Sequence, residues 1–254
     1  MNREKVRILI TNDDGINAEG IKLLESALRG IGDVFVVAPE SEMSGASHSL
    51  TLSRPLRIRQ IDERHWTVDG TPTDCVTFAL NRILMPEQLP HICVSGINHG
   101  ANLGDDATYS GTVAGAMEST ILGVPGIAFS LVANRNHNFT EAAKIARELT
   151  RKAIEQGLPS GTLLNVNVPK GAPKGIRITK QGLKNAKPII SEHTDPRGKF
   201  YYWIGEERNG FHADEGGSDF EAIEEGYVSV TPMRSDLTNY QAIETLQSWN
   251  NISF

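Results

Sequence analysis

Short apolar runs alternate along this chain with stretches whose apolar residues fall three and four apart. Residues 6–10 (Val-Arg-Ile-Leu-Ile) form the first run, and residues 33–38 form a second, closed by Pro39. Between them, 18–29 carries Ile21, Leu24, Ala27 and Leu28 along one helical face. Pro72 then opens a helix that continues to Leu84, since proline is tolerated in a first turn. The alternation goes on with a strand at 91–95, a small-residue-rich helix at 111–122 and a strand at 126–130. A helix at 139–156 and a strand at 162–168 follow. Residues 51–69 read as two or three short strands able to form a hairpin. The polar stretch 40–49 and the glycine-rich stretch 96–110 fit neither period. Strands interleaved with helices predict an α/β fold, a mostly parallel sheet covered on both faces.

The character changes near Pro169. Strand signals at 176–179, 200–204 and 227–231 lie between polar linkers, and a short helix at 238–249 closes the chain. A single α/β domain over 1–254 is expected, with a core of roughly 1–169 and a β-rich C-terminal segment of roughly 170–254. Tyr201, Tyr202 and Trp203 stand in succession between Gly198 and Gly205, which predicts a β-arm with aromatic rings on both sides. Such an arm is either an oligomer contact or a solvated hairpin packed on its own domain.

Composition narrows the partners. With 25 Lys and Arg against 31 Asp and Glu, the net charge over 254 residues is −6. A general nucleic-acid or anionic-membrane binder would need a basic face. A small anionic substrate is compatible, because a metal and oriented backbone dipoles can reverse the potential inside one cleft. Cys75 and Cys93 have neither pair nor metal-ligand spacing and read as buried fillers of a reducing compartment. The first residues lack the apolar stretch of a secretory signal, and no segment reaches the length of a membrane span. A soluble cytoplasmic protein is the expectation.

If the sheet is parallel, the loops after its strands share one edge, where ligand sites of open α/β sheets gather. The first strand runs into Thr11-Asn12-Asp13-Asp14-Gly15. Adjacent carboxylates repel unless something positive sits beside them, and a hard divalent cation would relieve that; a capping Asp followed by a turn Asp is the plainer alternative. The next loops bring Ser41 to Ser49 and then Gly96 to Gly104, both supplied with carboxylate, amide or hydroxyl oxygens of the kind Mg²⁺ or Mn²⁺ prefers. No histidine pair shows zinc-helix spacing. Ser110-Gly111-Thr112 precedes a helix and resembles an anion cradle, with free N–H groups, close approach at glycine and two hydroxyls; a simple helix cap is again the alternative. Neither a Gly-x-x-x-x-Gly-Lys-Ser/Thr loop nor a Gly-x-Gly-x-x-Gly after the first strand is present. Asp13 and Asp14 are adjacent rather than spaced Asp-x-Asp, so a water activated by a metal is favoured over a covalent aspartyl nucleophile.

Taken together, these segments resemble the SurE family. The matching stretches are Ile8 to Gly15, Val36 to Pro39, Ser44 to Thr51, Gly70 to Val76, Val94 to Asn102, Tyr109 to Val113, Tyr202-Trp203 and Glu225 to Pro232. They run in order over essentially the full length. The resemblance implies a Rossmann-like three-layer sandwich and a nucleoside 5′-monophosphate phosphatase, with 3′-monophosphates and short polyphosphate as further candidate substrates. It implies one divalent ion per subunit on Asp13, Asp14, Ser44 and Asn98. It further implies a homodimer or homotetramer, assembled through an exchanged C-terminal segment and a β-hairpin arm. One position departs from the pattern: the residue before the metal-site serine, often basic in relatives, is Met43.

The mechanism expected is in-line attack of water on a phosphomonoester. Asp13 or Asp14 would take its proton, while Asn102, Ser110, Gly111 and Thr112 would hold the phosphoryl oxygens. His48 and His99 lie in these loops as candidate acids for the leaving oxygen, although a lone loop histidine is more often a hydrogen-bonding bystander. Asp74 reads as a helix cap. Two rival functions use the same pocket: a non-catalytic nucleotide sensor, and a metal-dependent glycosyl or nucleotidyl transferase.

Overall fold

The computed structural model describes residues 5–133, 138–184, 188–206, 212–213 and 216–252. The chain runs β1 (Arg7–Thr11), α1 (Glu19–Leu28), β2 (Asp33–Pro39), β3 (Ile58–Asp62), β4 (His65–Val68) and α2 (Pro72–Phe78). It continues through β5 (Ile92–His99), α3 (Gly111–Ile121), β6 (Gly126–Val132), α4 (Thr140–Gln156) and β7 (Leu163–Pro169). Beyond Pro169 come β8 (Ile176–Ile178), β9 (Leu183–Lys184), β10 (Pro188–Thr194), β11 (Phe200–Glu206) and β12 (His212–Ala213). The last elements are α5 (Asp219–Glu224), β13 (Val228–Met233) and α6 (Tyr240–Leu246).

Nine strands form the main sheet in the order β3-β4-β2-β1-β5-β6-β7-β13-β8. From β4 to β7 every neighbouring pair is parallel; β3 and β13 run antiparallel to β4 and β7. The period-2 alternation of side chains explains why both faces are covered. Ile8 and Ile10 of β1 join Val34 and Val36 of β2 under Ile21 and Leu24 of α1 and Ala142 and Ala146 of α4. Leu9, between them in sequence, faces the other way and joins Val37, Cys93, Cys75 and Val76, the last two from α2. On that second face Val113 and Ala116 of α3 pack with Ala128 and Leu163. The α/β three-layer sandwich with a mostly parallel sheet is therefore as expected.

Three local features differ from the sequence reading. Residues 51–57 form no strand, so the two strands of the hairpin expected within 51–69, β3 and β4, begin only at Ile58. Strand β5 does not end at Ser95 but continues to His99 through a register shift between Ser95 and Asn98. Gly96 makes that irregularity feasible: it sits at φ +129°, and a Cβ there would lie 2.3 Å from the Phe129 carbonyl oxygen. Its functional effect is to bring Asn98 and His99 to the edge on a hydrogen-bonded strand rather than on a loop. Finally, the division near Pro169 does not coincide with the sheet, which takes β8 and β13 from beyond it, and Val228 and Val230 are buried in the core. A strand pattern records one buried face but not which sheet buries it.

The hairpin arm is present. β10 and β11 pair antiparallel from Pro188↔Glu206 to Thr194↔Phe200, as a two-stranded sheet apart from the main one. Opposite pairs alternate faces, so Trp203 (66% exposed) and Ile204 (81%) present apolar surface on both sides. Helix α6 likewise leaves Tyr240, Ile243 and Leu246 exposed. No helix among the described residues is long and apolar enough to cross a membrane.

Candidate active site

At the carboxyl ends of the parallel strands, β2 and β5 lie on opposite sides of β1. The strand order reverses there, and a crevice opens between the loops following β1 and β5. The turn after β1 occupies it. Asn12 Nδ2 donates to the Gly15 carbonyl at 2.9 Å and closes the turn, while the Asn12 amide oxygen is buried without a partner among the described residues. Asp13 is 3% exposed. Its Oδ2 accepts from the Thr112 N–H at 3.1 Å, and its Oδ1 accepts from the Thr112 hydroxyl. Burial pushes the Asp13 carboxyl up to about 6; the Thr112 hydrogen bond pulls against this, and the charge of Asp14 adds to it. Asp14 Oδ2 accepts from the His99 N–H at 3.3 Å and faces His99 Nδ1 at 3.1 Å. The His99 ring in turn meets Phe139 edge-on at 4.9 Å.

Other loops join through the backbone. Met43 N–H donates to the Asp13 carbonyl at 2.7 Å, bringing the Ser44 loop beside the carboxylates. Ser44 is exposed, with its hydroxyl on Glu42 at 2.9 Å. Ser47 N–H reaches the Tyr109 carbonyl at 3.0 Å and its hydroxyl the Thr108 carbonyl at 2.7 Å, tying that loop to the entrance of α3. Asn98 is half-buried and donates Nδ2 to the Gly100 carbonyl at 3.2 Å, so its amide oxygen is its acceptor end.

The residues read as a phosphate cradle all lie at this edge, and several of their polar groups already have protein partners. Asn102 is buried: its N–H donates to Asn167 Oδ1 at 2.8 Å, and its Nδ2 donates to the Ser130 hydroxyl at 2.7 Å. Its carbonyl accepts from Asn165 and Asn167. Ser110 caps α3 by accepting from the Val113 N–H at 3.1 Å, and both polar groups of Thr112 are turned to Asp13. Gly111 is needed for that approach, because a Cβ would lie 2.8 Å from the Asp13 Cβ. Asp74 forms a capping box with Thr71 and also accepts from the Thr51 N–H at 3.0 Å and hydroxyl at 2.7 Å, as a structural residue would.

The donor chemistry suits a hard cation. The site offers two carboxylates and neutral oxygens, one of them the orphaned amide of Asn12, and the cost of burying Asp13 is what a divalent ion would offset. No group of three or more His, Cys, Asp or Glu that could hold a metal is found among the described residues. Cys75 and Cys93 are fully buried on the second face, where burial pushes the Cys93 thiol up to about 12.

Sequence reasoning missed Glu118, which meets His48, Thr77, whose hydroxyl donates to Glu118, and the Ser130–Asn165–Asn167 set beneath Asn102. Each lies inside a helix or strand, where a lone polar residue carries no local signal. The family model described as Survival protein SurE matches residues 8–188, most of the chain and every loop described above.

This chain belongs to the SurE family.

Similarity to individual SurE proteins extends over the whole length. A relative from Pelobacter propionicus, named 5′-nucleotidase SurE, is 49% identical over 248 residues, covering 96% of this chain and 99% of its own. One of the same name from Aquifex aeolicus is 47% identical over 243 residues, covering 94% and 96%. The crystal structure of SurE from Aquifex aeolicus matches with a TM-score of 0.86 at 46% identity, covering 96% of this chain and all of that one.

Proposed function

We propose that this SurE protein hydrolyses nucleoside 5′-monophosphates to nucleoside and phosphate, using one divalent ion, Mg²⁺ or Mn²⁺, held by Asp13, Asp14, Ser44 and Asn98. The observation that carries the reading is a buried carboxylate, Asp13, raised to about 6 beside Asp14 at the point where the strand order reverses. The near full-length relatives named 5′-nucleotidase SurE support the same activity. A cation bound there would lower the pKa of a water and polarise a phosphoryl oxygen.

The chain's own residues divide the remaining work. Thr112 fixes the orientation of Asp13 through two hydrogen bonds, so its carboxylate does not reorganise during the reaction. Asp13 or Asp14 takes the proton of the attacking water, whichever is less tightly engaged. The Ser110 hydroxyl accepts from Val113 and still carries its own proton. With the Gly111 N–H and the positive end of α3 it holds the developing charge on the phosphoryl oxygens. Asn102 acts from beneath, holding the loop between β5 and α3 through its buried amide network.

The exposed apolar arm and α6 support assembly into a homodimer or homotetramer, since a two-stranded hairpin is marginal alone in water. Acidic net charge, two buried free cysteines and the absence of a long apolar helix among the described residues support a cytoplasmic location without nucleic-acid or membrane partners. The 3′-monophosphates and short polyphosphate are further substrates to assay.

The test is release of inorganic phosphate from AMP and GMP with each metal, in the native protein and in Asp13→Asn. Metal-dependent release that is abolished in the folded variant is expected. Equal turnover in the two proteins would overturn the metal-site assignment. Binding of nucleotide with no release at all would favour a sensor.

A further inference from the structure

His48 lines the same cavity as Ser110, the cap of α3. Its Nε2 lies 2.8 Å from Glu118 Oε2, and the other oxygen of Glu118 accepts from the Thr77 hydroxyl at 2.9 Å. Glu118 is only 7% exposed, on the inward side of α3. A carboxyl so placed would ordinarily be pushed up by burial; the hydrogen bond from His48, with that from Thr77, holds it below its usual range instead. An ionised carboxylate accepts only, so the ring donates from Nε2–H and Nδ1 is the nitrogen left for a ligand. The remaining charge near the pair is Asp74, whose oxygens are engaged by Thr51 and Thr71.

Beside this pair a cavity of about 250 Å³ runs along α3, lined by Ser47, His48, Ser110, Val113, Met117 and Leu237 among others. It begins at the cap of α3, one turn from Thr112 and Asp13, and is walled mainly by apolar side chains farther on. Water activated at Asp13 and Asp14 would attack from the β1 side, and in-line displacement would then put the departing oxygen opposite. That oxygen joins a phosphoryl group at the α3 N-terminus to a nucleoside in the cavity, so it lies at the entrance that His48 lines. The other loop histidine is committed elsewhere, with Nδ1 on Asp14 and its ring against Phe139.

We propose that His48, held by Glu118 and Thr77, protonates the leaving oxygen of the nucleotide from Nδ1. The inference rests on the phosphatase reading above. As water adds to phosphorus, the P–O bond to the ribose breaks and its electron pair stays on the ribose oxygen. The Nδ1 proton passes to that oxygen, while the water's proton goes to Asp13 or Asp14. The side chain of His48 is 32% exposed, so solvent restores its proton.

The experiment compares AMP with p-nitrophenyl phosphate in Mn²⁺-loaded native protein and His48→Gln. A ribose alkoxide leaves poorly without a proton, whereas nitrophenolate needs none. Loss of a general acid is expected to lower kcat for AMP about 100-fold, and for p-nitrophenyl phosphate less than about tenfold. Equal losses on both substrates, or no loss on AMP, overturn the assignment and leave the phosphatase reading standing. Failure of the native protein on both substrates overturns the two together. Glu118→Gln keeps volume and an acceptor but removes the charge, and it should show the same bias if His48→Gln does not fold. In the metal-free protein, ¹⁵N-resolved spectra of the His48 ring should show Nε2 protonated; an unprotonated Nε2 overturns the proposal.

Discussion

The carboxylate of Asp13 has a thermodynamic signature that unfolding can read without any substrate. Its folded pKa of about 6 exceeds the ordinary value of 3.8, so between those values the folded state binds a proton the unfolded chain releases. Stability from this group is fully present below about pH 3.8 and is lost as pH rises through about 6. Between 3.8 and about 6, at 1.36 kcal/mol per pH unit, the full loss comes to about 3 kcal/mol. Asp13→Asn abolishes the term and keeps the geometry: the amide oxygen accepts from the Thr112 N–H, and the amide NH₂ donates to the Thr112 hydroxyl, which can accept. Urea unfolding of both proteins in chelator, from pH 4 to 7.5, measures the difference. Asp33, Asp62, Asp69, Glu118 and Asp236 are held low and slope the other way, but both proteins share them and they cancel. The native-minus-variant stability should fall by about 2.4 kcal/mol across that range, since part of the full ~3 kcal/mol is already lost at pH 4. Adding Mn²⁺ should recover it for the native protein alone, because a ligand of the folded state stabilises by mass action. Parallel stability curves, or equal recovery in both proteins, would refute the reasoning.

Thr112→Val removes the hydroxyl that pulls Asp13 downward, so the acid limb of metal-dependent phosphate release should move to higher pH; a pH–rate profile with an unmoved limb would count against Thr112 as the positioning group. Replacing residues 188–206 with a short Gly-Ser linker should lower the mass found by light scattering while far-UV circular dichroism of the α/β core persists. An unchanged assembly would show that the arm packs on its own subunit. Phe129→Ala, at a fully buried position of β6, should cost about 3–5 kcal/mol in denaturant unfolding.

What local pattern could determine, it did. Period-2 and period-3.6 signals depend on which side of each element is buried, and the order of strands and helices up to β7 follows from them, though not the bounds of β3 or the end of β5. The Asp13-Asp14 turn stood out in sequence because adjacent carboxylates after a buried strand are costly without a partner. Chain-distant contacts had no such signature. Only the fold puts Thr112 on Asp13 across 99 positions of sequence and His48 on Glu118 across 70. The same holds for β13, whose alternation marks it as a strand but whose place beside β7 was set by which apolar face remained uncovered. The hydroxyls of Ser110 and Thr112, read along the chain as groups for a phosphate, serve first as a helix cap and as the support of a carboxylate. Sequence by itself determined which residues could carry the chemistry. The tertiary structure decided which of them hold one another in place, because a buried polar group must find its hydrogen-bond partner wherever the packing brings one.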